Sequence, residues 1–138
     1  MRMVSNTAKT GAGRAIAAYI AAFQNLDSDA LAASAGQNGL VEVPLIKPSR
    51  LFGRSEIRRG HSAAFQEIVK AEFVSDKPIA ESDDAAIWLG TLNIQRNKSA
   101  PESHEIGIVA QPGDEGASRI SLYFNSRGIR RWADETIL

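Results

Sequence analysis

The sequence of 138 residues contains no cysteine. Disulfides, thiolate catalysis and cysteine-type zinc sites are therefore excluded. It has only two histidines, His61 and His104, and their surroundings give no ligand spacing typical of zinc or calcium. The pair Gly11 and Gly13 has no strand before it and lacks the remaining glycines of a dinucleotide or phosphate loop. We therefore expect neither a metal nor a cofactor.

The chain also lacks a surplus of charge, because Lys plus Arg and Asp plus Glu both number 16. No net field draws it to nucleic acid or to anionic lipid. It has no apolar run of about 18 residues that could span a membrane, and its first residues lack the apolar region of a secretory signal. We expect a cytoplasmic protein without a nucleic-acid or membrane partner. A local basic cluster is most often a solvated face, although it could contact an anionic ligand or a second subunit; it comprises Arg50, Arg54, Arg58 and Arg59.

The length fits one domain, since a chain of about 150 residues buries roughly 70% of its extended surface. We interpret residues 1–13 as a flexible polar tail and residues 14–138 as the domain. Apolar side chains at helical spacing predict a first helix with one buried stripe; they are Ile16, Tyr19, Ile20, Phe23 and Leu26.

Two more helices are predicted before the pattern changes. Asp27 and Ser28 are candidate N-caps for a short helix that runs to about Ala35 and ends at Gly36 and Asn38-Gly39. A strand over 41–43 follows. A third helix is predicted from a stripe that comprises Ile57, His61, Ala64, Phe65 and Ile68, with Gly60 as a weak point inside it.

From Lys70 onward the apolar pattern has a period of two, which predicts strands. Their ranges are about 70–79, 85–96, 104–111, 118–125 and 129–135. Turn-forming residues separate them, so strands joined this closely should pair antiparallel. Helices first and a meander afterwards predict an α+β fold, with helices on one face of a strongly bent sheet.

Three segments together resemble the nuclear transport factor 2-like superfamily. They are Tyr19 through Pro44, then Phe52-Gly53-Arg54 leading to Ile57, and Leu122 through Ile129 with Trp132 and Asp134. The resemblance covers about residues 14–135, and its motifs are specific for the fold rather than for one reaction. It implies a cone-shaped, cystatin-like α+β fold, in which three N-terminal helices pack on a curved, mostly antiparallel sheet. It further implies an apolar pocket for a small apolar molecule and a homodimer formed through the outer sheet face.

The ketosteroid isomerases of this superfamily offer the sharpest comparison. The resemblance implies that Tyr19 matches a tyrosine that donates to the oxyanion. Val43 stands where these enzymes have their catalytic base, and Ile120 stands near the position of a second donor. Since valine cannot accept a proton, we reject isomerase activity by that mechanism.

Two other branches place their chemistry on late strands. Asp134 resembles the last-strand aspartate of limonene epoxide hydrolase, although the Arg-x-Asp pair that this mechanism also needs is missing. SnoaL-like cyclases use a histidine and an aspartate, which His104 and Asp134 could supply. The resemblance thus gives Tyr19, His104 and Asp134 as catalytic candidates. Candidate pocket-lining residues are Phe23, Val43, Phe65, Trp88, Ile120 and Trp132.

Each polar candidate also has a structural interpretation. Tyr19 lies on the apolar stripe of its helix, where a buried tyrosine with a satisfied hydroxyl is common. For His61, a hydrogen-bonded core position is the favoured interpretation, and for Glu42 an outward-facing one. His104 belongs either to the pocket or to a sheet interface, and Asp134 could pair with a surface arginine.

Two functions remain open. The first is an enzyme that isomerises, cyclises or hydrolyses a small apolar molecule, with Tyr19 as donor and His104 or Asp134 as the proton-transfer group. The second is a non-catalytic ligand-binding or dimeric interaction domain of the same fold. We prefer the first.

Overall fold

The computed structural model describes residues 8–44 and 46–124. In these ranges the helices are α1 (Gly11–Gln24), α2 (Ser28–Ala33) and α3 (Gly53–Phe65). The strands are β1 (Ala35–Glu42), β2 (Arg50–Phe52), β3 (Ile68–Val74), β4 (Ala80–Glu81), β5 (Ala86–Arg96), β6 (Glu102–Gly113) and β7 (Gly116–Phe124).

All seven strands form one sheet in the order β2-β1-β7-β6-β5-β3, and β4 pairs with β5. The strands joined by short connections pair antiparallel, as predicted, whereas β1 runs parallel to β7. The helices contact one face of this sheet, which we call the inner face. The predicted α+β class is confirmed.

The helix α1 forms where its apolar stripe predicts it. Ile16, Tyr19, Ile20 and Phe23 are all at most 3% exposed. The helix begins at Gly11, before the predicted domain boundary at residue 14, because the Thr10 hydroxyl accepts a hydrogen bond from the Gly13 amide and caps the first turn. Leu26 has a positive φ of 53° and lies beyond the helix end.

Several other boundaries differ from the prediction. The second helix stops at Ala33, and Gly36 and Asn38-Gly39 belong to β1, where an irregularity in the pairing with β7 lies between Ala35 and Leu40. Ile68 opens β3 instead of continuing α3. The strand predicted over 70–79 ends at Val74, and the short strands β2 and β4 were not predicted. The strand predicted over 129–135 lies outside the described residues.

Within the described ranges, no helix is both long and apolar enough to cross a membrane. The core lies between the helices and the inner face, to which β6 contributes Ile106, Ile108 and Ala110. Because side chains alternate along a strand, His104 and Glu102 point to the same face as these three residues. The inner face therefore becomes polar at the end where β5 and β6 meet in their hairpin.

Candidate functional site

The hydroxyl of Tyr19 is 3.0 Å from Nε2 of His61, and both residues are completely buried. Nδ1 of His61 lies 2.8 Å from the carbonyl oxygen of Ile57. Since a carbonyl only accepts, Nδ1 carries the proton, and the unprotonated Nε2 accepts from the tyrosine. The favoured interpretation of His61 as a hydrogen-bonded core residue is confirmed.

Burial makes both members of this pair hard to ionise. Burial is the larger cause and lowers the pKa of His61 to about 4, while the hydrogen bond to the Ile57 carbonyl acts in the opposite direction. Burial likewise raises the pKa of Tyr19 well above its ordinary value. At neutral pH the pair is therefore a neutral tyrosine that donates to a neutral imidazole.

The aromatic pocket candidates pack around this pair. The Phe23 ring is 6.0 Å from Tyr19 and 5.0 Å from Phe65, centroid to centroid. The ring centroid of Phe73 is 5.2 Å from that of Phe23 and 5.7 Å from that of Trp88. Val43 and Ile120 belong to the same core and are at most 1% exposed. Trp132 and Asp134 lie outside the described residues.

His104 lies in a different group, which we call the Glu102 cluster: Arg96, Glu102, His104 and Phe124. Nε2 of His104 is 2.9 Å from Oε1 of Glu102, and Nε of Arg96 is 2.6 Å from Oε2. The His104 ring meets the Phe124 ring edge-to-face at 5.3 Å. One carboxylate thus holds an imidazole and a guanidinium together.

The local sequence explains the cluster. Glu102 and His104 are two residues apart on β6, so they share a face, and β5 pairs Leu92 with His104 and Ile94 with Glu102. Arg96 follows Ile94 by two residues and points the same way. The alternation Glu-x-His-x-Ile could have revealed Glu102 as a partner of His104, but the sequence-based prediction missed it.

The Glu102 carboxylate determines that Nε2 of His104 carries a proton. The hydrogen bonds from His104 and Arg96, in that order, hold the pKa of Glu102 below its usual range. Because the ionised carboxylate can only accept, Nε2 of His104 carries a proton. No group in residues 8–44 and 46–124 hydrogen-bonds to Nδ1, and the His104 side chain is 28% exposed. Nδ1 lies on the ring edge away from Glu102 and is the nitrogen that a ligand can contact.

The outer face of the sheet carries a second polar group. Oε1 of Glu42 accepts from Nε of Arg119 at 2.9 Å and from the Ser121 hydroxyl at 2.7 Å, and Oε2 pairs with Nε of Arg50 at 3.2 Å. Burial raises the pKa of Glu42, but these donors outweigh it, so the pKa lies below its ordinary value. The predicted outward orientation of Glu42 is confirmed.

The arginine cluster near α3 is divided among separate partners. Arg54 donates to the carbonyl oxygens of Ala35 and Glu115, which ties α3 to β1 and to the β6–β7 turn. Arg50 pairs with Glu42, and Arg58 lies 3.8 Å from Asp29. These arginines therefore do not converge on one anion site.

Several clefts border the described part of the sheet, and two of them bear on the site. One of about 420 Å³ lies at the far end of β6, among the 36–39 segment, the 113–115 turn and Ser118, and none of the predicted site residues lines it. A second, of about 250 Å³, adjoins Glu102 and is also lined by Lys70, Asn93, Gln95 and Ser103. Among the described residues, no three histidine, cysteine, aspartate or glutamate side chains group as metal ligands would.

No protein-family model and no curated protein matches this sequence. Solved structures do match. A nuclear transport factor 2-like protein of unknown function from Burkholderia pseudomallei has a TM-score of 0.71 at 15% identity, covering 89% of this chain and 97% of its own. The chain has the nuclear transport factor 2-like fold.

Two further matches agree with this fold. A hypothetical protein from Catenulispora acidiphila with a ketosteroid isomerase-like fold, solved in complex with trimethylamine, has a TM-score of 0.70 at 14% identity and covers 79% of this chain and 83% of its own. A putative SnoaL-like polyketide cyclase from Shewanella denitrificans has a TM-score of 0.68 at 8% identity, with 89% and 96% covered. The predicted resemblance is thereby confirmed for the fold.

Proposed function

We propose that this protein is a SnoaL-like acid/base enzyme that binds a small, mainly apolar molecule beside the Glu102 cluster, with His104 as the proton-transfer group. The observation that carries the proposal is the 2.9 Å contact of Glu102 with Nε2, which leaves Nδ1 without a partner among the described residues. An imidazole held in one tautomer by a carboxylate is the usual arrangement of a general base.

The chemical step is a proton transfer. Nδ1 of His104 takes a proton from a carbon next to a carbonyl, the electron pair of the C–H bond becomes an enolate, and the imidazolium returns the proton to carbon or oxygen. Glu102 stabilises the imidazolium and keeps Nδ1 facing the reactant. Phe124 packs against the ring and offers the reactant an apolar wall.

The inner core supports this choice of base. Val43 and Ile120 are buried and apolar, so no side chain at either position takes or donates a proton, and the ketosteroid isomerase mechanism remains rejected. Tyr19 already donates to His61 and has no exposed surface. A role for Tyr19 as donor to a reactant would require this pair to open. The role of Asp134 stays a prediction.

The solved relatives support the kind of ligand. The Catenulispora protein was crystallised with trimethylamine, a small molecule, and the Shewanella protein is described as a putative polyketide cyclase. Cyclisation of a polyketide begins with a carbanion next to a carbonyl, the species that the His104 step would form. We therefore place carbonyl compounds first among the substrates to test.

The experiment is deuterium exchange at carbon. The protein is incubated in D₂O with methyl 4-oxo-4-phenylbutanoate and with 4-oxo-4-phenylbutanoate, and loss of the proton signal next to the ketone is followed by NMR. We expect the wild type to accelerate exchange and His104→Gln to lower the rate by about 100-fold. Ser103→Ala, the adjacent residue on the other face, is the control and should retain the rate. Exchange that persists in His104→Gln would refute the assignment.

A second candidate function is a non-catalytic binding domain. It is favoured by the Tyr19–His61 pair, which is satisfied internally and offers nothing to a reactant. In that case a ligand should raise the melting temperature without any exchange of its protons. The homodimer implied by the resemblance also stays a prediction, and sedimentation equilibrium measures it directly.

A further inference from the structure

Arg96 has hydrogen-bonding capacity that the Glu102 cluster does not use. Its Nε donates to Oε2 of Glu102, and no group in the described part of the chain hydrogen-bonds to its two terminal nitrogens. The side chain as a whole is 28% exposed. A guanidinium has five N–H donors in a planar fork, and its terminal edge suits a carboxylate.

The position of Arg96 relates this edge to the proposed chemistry. The same Glu102 carboxylate contacts Arg96 through Oε2 and His104 through Oε1, so the two side chains are held on either side of one carboxyl group. A molecule in contact with Nδ1 of His104 meets the Arg96 fork if it extends along the Glu102 carboxyl group. Glu102 hydrogen-bonds to Nε of Arg96 and partly offsets the charge of the guanidinium.

On the basis of the proposed function, we propose that Arg96 binds an anionic group of the substrate. The substrate class is then a small apolar carbonyl compound that carries a carboxylate. The guanidinium orients this group while His104 removes the proton beside the carbonyl.

The test compares two probes, 4-oxo-4-phenylbutanoate and its methyl ester, which differ in whether the carboxylate is free or esterified. Dissociation constants are measured by ligand-observed NMR at low salt, for the wild type, for Arg96→Gln and for Lys70→Gln. We expect the wild type to bind the acid about tenfold or more tightly than the ester. In Arg96→Gln this preference should disappear, because the affinity for the acid falls toward that for the ester. Lys70 lines the cleft that adjoins Glu102, so Lys70→Gln controls for a nearby cation and should keep the preference.

Three results would overturn the inference: equal affinity of the wild type for both probes, a preference that survives in Arg96→Gln, or a preference that disappears in Lys70→Gln. His104→Gln separates this inference from the proposed function. That variant should still prefer the acid while it no longer exchanges protons. Conversely, exchange by the wild type without any preference for the acid would reject the role of Arg96 and leave the role of His104 intact.

Discussion

The hydroxyl of Tyr19 in α1 and Nε2 of His61 in α3 form a hydrogen bond of 3.0 Å inside the core. We expect Tyr19→Phe to lower the free energy of unfolding by about 1–2 kcal/mol, because the buried Nε2 loses its donor. Urea denaturation measures the change. Tyr123→Phe is the matched control, since Tyr123 is 40% exposed, and it should change stability by less than about 0.5 kcal/mol. An equal effect of the two substitutions would show that the buried bond contributes nothing.

The buried imidazole makes stability depend on pH. The pKa of His61 is about 4 in the folded protein, and the ordinary value is 6.5. Between these two values the unfolded chain binds the proton and the folded chain does not, so stability falls as the pH drops from about 6.5 to about 4. The full effect is on the order of 3 kcal/mol. This effect of His61 on stability adds to the effects of the carboxylates that take up protons near the lower end of this pH range.

Direct titration by NMR isolates this group from the carboxylates. The ring signals of His61 should not titrate above pH 5 and should keep the Nδ1–H tautomer that the Ile57 carbonyl imposes. A midpoint near 6.5 would contradict the assignment of a neutral, buried imidazole.

The parts of the fold that were predictable from sequence are those with one strong local pattern. The α1 stripe identifies the buried face of that helix, and the alternation in β6 puts His104 on the face of Ile106. In β1 the local pattern gave a wrong prediction, the end of a helix, because Gly36 and Asn38-Gly39 are typical turn formers. They are tolerated in a strand there since the pairing with β7 is irregular at this point.

Contacts between distant segments could not be predicted in the same way. The Tyr19–His61 bond depends on how α1 and α3 are placed, which no local pattern specifies. Arg96 and Glu102 meet only because the β5–β6 hairpin has this register. By contrast, the Glu102–His104 pair needs only the two-residue repeat of a strand. It was predictable from the sequence, but the strand predicted over 104–111 begins two residues too late to include Glu102.

Gly90, on the inner face, has no space for a side chain. A Cβ at Gly90 would collide with the carbonyl oxygen of Val74 and lie 2.6 Å from a ring carbon of Trp88. We expect Gly90→Ala to destabilise the protein by about 3 kcal/mol, because the backbone at Val74 cannot move without disturbing β3. Gly11→Ala is the control: nothing lies within 4 Å of a Cβ there, so it should be neutral or slightly stabilising in urea denaturation. A mild effect at Gly90 would mean that the sheet yields at this point.

Glu102 should act on the proposed chemistry through His104, as a positioning residue. Glu102→Gln removes the charge that fixes Nε2–H, so we expect the rate of deuterium exchange to fall about 10- to 100-fold, while the affinity for methyl 4-oxo-4-phenylbutanoate stays the same. Nitrogen-15 NMR of His104 gives an independent measure. The wild type should show the Nε2–H tautomer alone, and the variant should show a mixture. Glu67→Gln, at an exposed site, should change neither the rate nor the tautomer. If Glu102→Gln alters the tautomer and leaves the rate unchanged, proton transfer does not pass through Nδ1 of His104.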